Sequence, residues 1–378
     1  MVRVCLVFDC LYPYTVGGAE RWYRNLAERL AQAGHEVTYL TIRQWEGDVD
    51  VPGVDVVAVT RPLELYAGGR RSIWTQIVFS AAVVGHLVRR GGRYDVVHTT
   101  GLHLFLLSAL AARPIRGFRV VADWFEVWTA DYWREYVGHV RGRIAHRVQR
   151  LGARGRHRAI CFAQLHARRL LAEGYRGEPI VLTGAYAGDL TPPTPNDADS
   201  VVVYAGRHIP EKQVPALVSA IAVAREDAPE LSARIFGDGP DRPAVLRLIE
   251  ELGLERDVSA PGFVDQELVE QALRSALCLV LPSRREGYGL VVVESCAAGT
   301  PVVVVAGPDN AAAELVDEGV NGVVAASASA GDLADAILRV RAAGRPLRES
   351  TADWFARNAD RLSLESSLRR VLAVYEGS

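Results

Sequence analysis

Short runs of almost unbroken apolar residues recur along this chain, each followed by sequence of helical character. That alternation limits the fold more than any other feature. LCLVLPS at 277–283 is one such run, and VVVYA at 201–205 and PVVVV at 301–305 are others. They read as strands buried on both faces of a parallel sheet, because a strand with one wet face would alternate apolar and polar residues. The opening stretch keeps the same order: a strand at 2–9, a loop containing Gly17 and Gly18, a helix closed by Gly34, then a second strand. This is a βαβ unit. Further strands are expected at 54–60, 95–100 and 119–124, with helices at 72–89 and 102–112, and 159–163 and 179–185 complete a first sheet.

A length of 378 residues allows two such domains, each with a sizeable core. The Pro-, Asp- and Ser-rich segment 188–200 reads as the linker, giving a first domain at 1–187 and a second at 201–351. In the second domain the strands are expected in VVVYAGR, ARIFGDG, VSAPGFV, LCLVLPS, PVVVVAG and NGVVA, again doubly wound. A bend is expected at 345–351, followed by a last helical stretch at 352–375.

Charge and cysteine content narrow the setting. With 43 basic against 45 acidic residues the formal charge is −2, so no global field points to nucleic acid. Five cysteines without metal-ligand spacing read as reduced core residues of a cytoplasmic protein. The residues MVRVCLVFD form a strand rather than a signal peptide. The longest apolar stretches run to about a dozen residues, against the roughly 20 that span a bilayer. Membrane contact is therefore expected to be peripheral. Its candidate is 134–176, where eleven arginines face Glu135 and Glu173. There Val137, Val140, Ile144, Val148 and Leu151 repeat at three and four, which predicts an amphipathic helix with an arginine-rich outer face. That face suits anionic lipid at the inner membrane surface, a phosphorylated acceptor, or plain solvent.

Two segments carry the chemistry. In SRREGYGLVVVESCAAGTP (283–301), Glu286 and Glu294 stand eight residues apart across Gly287 and Gly289. Ligands of an open α/β sheet bind beyond the carboxyl ends of strands, and the N–H groups of a helix start favour an anion. A phosphate is thus expected over Tyr288, Gly289 and Leu290. Glu294 points back toward that end only if the helix starts late. Upstream, VVVYAGRHIPEKQ (201–213) places Arg207 and Lys212 after a turn at Gly206. Lys212 is the only lysine, so 42 of the 43 basic residues are arginine. A compact ammonium on a flexible stem can follow a phosphate, which a rigid fork does less well.

The loop at Gly17 and Gly18 allows close approach of backbone amides to a diphosphate, or is simply a turn needing positive φ. His98 and His103, near the end of the strand at 95–100, are either hydrogen-bonded core residues or catalysts. The aromatic and acidic stretch 123–138, with Trp124, Trp128, Tyr132 and Trp133, forms a sugar-stacking wall or packs the domain.

The pattern G-R-x4-K at 206–212, E-G-Y-G-L-x3-E at 286–294 and A-G-T-P-V-V at 298–303, with GDGP at 237–240 and GFV at 262–264, resembles the donor domain of the family-4 retaining glycosyltransferases. The resemblance implies the GT-B fold: two doubly wound Rossmann-like domains facing a cleft, with a C-terminal helix at about 352–378 crossing back onto the first domain and Trp354 and Phe355 near the junction. It implies catalytic roles for Arg207, Lys212 and Glu286, joined by Asp123 and His98 from the first domain. Donor contacts would come from Gly17, Gly18, Gly206, Gly237, Phe263, Val264, Gly287, Tyr288, Gly289, Leu290 and Glu294. The donor would be a nucleoside-diphosphate sugar, with no cofactor and no metal. Its sugar would pass, with retained configuration, to a hydroxyl or amine of a small hydrophilic, natural-product or lipid-linked acceptor. Many relatives carry a histidine in a T-x-H stretch where this chain has Asp123, Trp124, Phe125 and Glu126. A sugar-nucleotide epimerase and a catalytically silent nucleotide-sugar binding protein are the other readings. Arginine usage with Ala, Val and Gly richness suggests a high-GC bacterial source.

Overall fold

The computed structural model describes residues 1–67, 70–101, 104–194 and 197–376. They form two compact units, Met1–Thr183 with Ser367–Ser378, and Gly184–Ser366. His103 lies outside the described residues.

The first unit runs β1 (Arg3–Val7), α1 (Gly18–Gln32), β2 (Glu36–Ile42), β3 (Val54–Thr60), β4 (Tyr66–Ala67), β5 (Arg70–Arg71), α2 (Ile73–Arg90), β6 (Val96–Thr100), α3 (Leu104–Arg116), β7 (Arg119–Trp124), α4 (Ala130–Val137), α5 (His139–Arg154), β8 (Arg158–Cys161), α6 (Gln164–Ala172) and β9 (Ile180–Val181). Apart from the small β4–β5 ladder, its described strands stand in the order β3-β2-β1-β6-β7-β8-β9 and pair in parallel. Parallel neighbours need crossovers, which the helices supply, and both faces of the sheet are then covered. β6 is buried along its whole length, as its unbroken apolar start requires. The core gathers Val7, Leu40, Phe79, Phe105 and Trp124.

The second unit runs β10 (Val201–Ala205), α7 (Val214–Asp227), β11 (Ser232–Phe236), α8 (Arg242–Glu251), β12 (Val258–Gly262), α9 (Gln266–Ser275), β13 (Cys278–Leu281), α10 (Leu290–Ala297), β14 (Val302–Val305), β15 (Gly322–Ala325) and α11 (Ala330–Leu362), with α12 (Leu364–Glu376) returning to the first unit. The strand order is β12-β11-β10-β13-β14-β15, all parallel. The chain winds outward from β10 to β12 and then restarts on the other side at β13. The winding therefore reverses between β10 and β13, and in such sheets the crevice for a ligand opens there.

The end of the chain differs from expectation. α11 breaks at Gly344, where φ is 55°, one residue ahead of the expected bend. The stretch 352–366, expected with the first domain, belongs to the second unit. Trp354 and Phe355 lie in that unit's core, and Trp354 Nε1 donates to Asp317 Oδ2 at 2.6 Å. The return begins only at Ser367. The two units thus share architecture as the alternation implied. All five cysteines are buried and unpaired, and burial pushes the Cys278 and Cys296 thiols up to about 12.

Helix α5 also corrects the sequence reading. Its apolar residues were expected to face the protein, yet Val140, Ile144 and Leu151 are 70%, 56% and 62% exposed. The inward face carries Gly142, Gln149, Gly152 and Ala153 instead. A Cβ at Gly142 would lie 2.6 Å from the Trp133 carbonyl oxygen, so the backbones of α4 and α5 approach closely there. Gln149 accepts from Trp128 N and Trp133 Nε1 and donates to the Trp128 carbonyl, satisfying both ends of its amide in the contact. Among the described residues, no helix is long and apolar enough to cross a membrane.

Candidate active site

The site is assembled in the second unit from the loops that follow β10 and β13. Residues 206–213 leave β10 at the reversal point, and residues 282–289 leave its neighbour β13. The Arg284 N–H donates to the Glu211 carbonyl at 2.9 Å, joining the two loops by backbone alone. Across this junction Lys212 Nζ is hydrogen-bonded to Glu286 Oε1, and Ser283 Oγ donates to the same oxygen at 3.3 Å. The two charged side chains are only 15% and 12% exposed, so the pair is largely shielded from water. The lone lysine and the first glutamate of the Glu-x7-Glu pair, 74 residues apart, thus converge on one point.

Each loop is held from behind. Tyr204 Oη, at the end of β10, donates to the Arg207 carbonyl at 2.9 Å and leaves the Arg207 side chain at the exposed rim. Burial raises the Tyr204 hydroxyl well above the ordinary tyrosine range, so it serves as a neutral donor. Gly237 has φ 116°, and a Cβ there would stand 1.9 Å from the Gly206 carbonyl oxygen. No other residue fits that approach. Gly237 N–H in turn donates to the Gly262 carbonyl at 2.8 Å, which fixes the turn before Phe263 and Val264. Phe263 is 66% exposed, and Val264 packs against the core.

Asn310 was not singled out from sequence and proves central to the β13 loop. Its amide donates to the Ser283 carbonyl at 3.0 Å and the Val305 carbonyl at 2.8 Å, while its oxygen accepts from Ala312 N at 3.1 Å. It is 3% exposed. The Glu286 backbone is paired on both sides, its N–H donating to Asp309 and its carbonyl accepting from Ala311 N. An asparagine in a Pro-Asp-Asn turn carries no local signal for such a role, which only the approach of β13 and β14 creates.

α10 starts at Leu290, with Gly289 as its N-cap in the left-handed region (φ 95°). Glu294 sits one turn into the helix, partly buried. A Cβ on Gly289 would come 2.7 Å from that of Ala312. The Val292 N–H already donates to the Gly289 carbonyl at 2.9 Å, so the partial positive charge of the helix start rests on the amides ahead of it, at Leu290 and Val291. Gly287 leads into this cap, and burial raises the Tyr288 hydroxyl well above its ordinary range.

In the first unit the candidates behave differently. His98 and Asp123 are fully buried. His98 Nδ1 lies 2.5 Å from Tyr375 Oη of α12, and its Nε2 lies 2.9 Å from Asp123 Oδ1. Trp22 Nε1 donates to Asp123 Oδ2 at 2.8 Å. Both side chains are internal, His98 between Tyr375 and Asp123, and Asp123 between His98 and Trp22, at positions where the sequence reading expected catalytic groups. Gly17 is the N-cap of α1, and a Cβ there would sit 2.3 Å from Glu20 Oε2. The Glu20 carboxylate thus lies against Gly17, whereas a Cβ on Gly18 would meet nothing within 4 Å. Trp124 is fully buried, with Nε1 donating to His157 Nε2 at 3.1 Å. Trp128 meets Tyr132 edge-on at 4.7 Å and Trp133 at a tilt at 4.5 Å, which is packing within the domain.

Comparison with known proteins agrees with this architecture. Residues 17–185 match the model of the glycosyl transferase 4-like domain, and residues 191–353 match glycosyl transferases group 1. The chain is 35% identical over 142 residues to the exopolysaccharide phosphotransferase SCO2592 of Streptomyces coelicolor, which covers 37% of this chain but only 14% of that protein. It is 27% identical over 415 residues to the MMP alpha-(1->4)-mannosyltransferase of Mycolicibacterium hassiacum, covering 95% of this chain and 94% of the relative. Among solved structures it superimposes on the sucrose-phosphate synthase of Thermosynechococcus elongatus with a TM-score of 0.80 at 20% identity, over 100% of this chain and 99% of that one. Anabaena HepE, solved in complex with UDP-glucose, gives a TM-score of 0.78 at 20% identity over 100% of both chains. With two Rossmann-like units and both halves matched in order, the chain belongs to the family-4 glycosyltransferases of GT-B fold.

Proposed function

We propose that this transferase moves a glycosyl group, with retained anomeric configuration, from a nucleoside-diphosphate sugar to a hydroxyl or amine of its acceptor. The observation that carries the reading is the Lys212–Glu286 pair at the reversal point of the second sheet. The ammonium and the α10 amides, with Arg207 at the rim, suit the diphosphate whose charge grows as the sugar–oxygen bond breaks. Such fixed donors stabilise charge that develops in the transition state. Glu286 accepts hydrogen bonds from the donor sugar hydroxyls, and Glu294 from those of the ribose. Phe263, exposed at the end of β12, offers a face to the base. HepE, crystallised with UDP-glucose, supports a nucleotide sugar as donor.

In balanced form, the acceptor oxygen or nitrogen bonds to the anomeric carbon as the carbon–oxygen bond to the diphosphate breaks. The acceptor proton passes to a phosphate oxygen of the leaving group. Lys212 and the amide dipoles supply the positive charge, and the reaction as proposed uses no metal and no cofactor. His98 and Asp123 have no part in it. The acceptor is a small hydrophilic, natural-product or lipid-linked molecule. The proposed setting is the cytoplasm, a reading that the buried, unpaired thiols support.

The test is a thermal-shift panel of UDP, GDP, ADP and dTDP on the wild-type chain and on Lys212→Met. One nucleotide raising the midpoint of the wild type, with a much smaller shift for the variant, supports the donor site. An absent shift with all four removes its basis. The anomeric configuration is then read by NMR of the product once an acceptor turns over.

A further inference from the structure

Helix α5 combines an exposed apolar stripe with a basic edge. Its outward arc carries Val140, Ile144 and Leu151, each more than half exposed, in one stripe. At about 100° per residue, Leu151 and Ile144 fall within 40° or so of Val140, while Arg143, Arg147 and Arg154 form a contiguous second stripe along the same edge. The sixteen residues of α5, HVRGRIAHRVQRLGAR, include no acidic side chain. Of the acidic residues near the helix, Asp131 pairs with Arg134 ahead of it, and Glu173 pairs with His146 and Arg150 of α5, leaving Arg143, Arg147 and Arg154 outside these pairs. The outward stripe spans roughly 16 Å, from 1.5 Å of rise per residue.

A solvated basic helix would turn its apolar residues inward. Here the inward positions are filled by Gly142, Gly152 and Ala153, with Gln149 hydrogen-bonded to Trp128 and Trp133. The close approach of α4 leaves no room for larger side chains inside. An exposed apolar stripe edged by guanidinium groups matches a plane that is apolar within and anionic at its surface. A phosphorylated soluble acceptor would use the arginines and leave the apolar stripe unexplained.

We propose that α5 docks the first unit on anionic lipid bilayers, with Val140, Ile144 and Leu151 entering the interface and Arg143, Arg147 and Arg154 resting on the headgroups. The surface is independent of the transfer chemistry, and its test requires neither donor nor acceptor.

The full chain is floated with vesicles of phosphatidylcholine alone and of phosphatidylcholine with phosphatidylglycerol, at low and high salt. Wild type is expected to float with the anionic vesicles only and to lose part of that binding as salt screens the headgroups. Two variants separate the contributions: Val140→Ser/Ile144→Ser/Leu151→Ser, and Arg143→Gln/Arg147→Gln/Arg154→Gln. Each is expected to lower vesicle partitioning by about tenfold or more while keeping the wild-type melting temperature, since the residues are exposed. Failure of the wild type to float with anionic vesicles, or wild-type binding by either variant, overturns the proposal. So does a wild-type dimer in lipid-free sedimentation that the serine variant turns into a monomer, because the stripe would then cover a second copy.

Discussion

Replacing Glu286 with glutamine should tighten the binding of a nucleoside diphosphate while it disables transfer. In the unliganded protein the Lys212 ammonium is already held by Glu286 Oε1, with both side chains largely buried. A diphosphate that needs this ammonium must share it with a carboxylate of its own sign. Two unit charges 5 Å apart repel by about 3 kcal/mol at an effective dielectric constant of 20. The shared ammonium and salt screen about half of that, leaving about 1–2 kcal/mol, or roughly a five- to thirtyfold lower Kd for Glu286→Gln. Lys212→Met acts in the opposite sense, losing a charge-assisted hydrogen bond worth about 1.5–3 kcal/mol, which raises Kd roughly ten- to 150-fold. The double variant should bind better than Lys212→Met alone, because the repulsion from Glu286 is unscreened once the lysine is gone. Isothermal titration of the stabilising nucleotide into the four proteins reads this directly. Transfer by Glu286→Gln should fall about a hundredfold, the carboxylate that holds the sugar being lost. Equal or weaker nucleotide binding by Glu286→Gln would refute the argument that the two anions compete for Lys212.

Three further outcomes follow from the packing. Asn310→Ala breaks three hydrogen bonds behind the Glu286 loop and should cost about 2–4 kcal/mol in urea unfolding, with Asn310→Asp failing to rescue because a carboxylate cannot donate to the Ser283 and Val305 carbonyls. Tyr375→Phe removes the hydroxyl beside His98 Nδ1 and should lower stability by about 1–3 kcal/mol with nucleotide Kd unchanged; a changed Kd would return His98 to the ligand site. Burial lowers His157 from its ordinary 6.5 to about 4, so the folded chain resists protonation that the unfolded chain accepts. Stability is therefore full above pH 6.5 and should fall by about 3 kcal/mol as pH drops to 4, a loss that His157→Gln largely removes from the pH profile.

The sequence by itself determined the architecture, because unbroken apolar runs such as VVVV at 302–305 admit only strands covered on both faces, and their alternation with helices then dictates parallel pairing. It also marked turns at Gly237 and Gly289, both of which take the positive φ that few other residues tolerate. Whether a residue reaches a ligand was a matter for the tertiary structure. His98 and Asp123 stand at strand ends in the sequence, yet both are fully buried in the structure, with Tyr375, 277 residues from His98, against His98 Nδ1. Lys212 and Glu286 meet only because the winding reverses between β10 and β13. The same limit governs α5: periodicity tells which residues share a helical face but not which face the protein covers. That choice was made by contact distance, as the glycine at 142 lets one backbone reach another and leaves the larger apolar side chains to the outside.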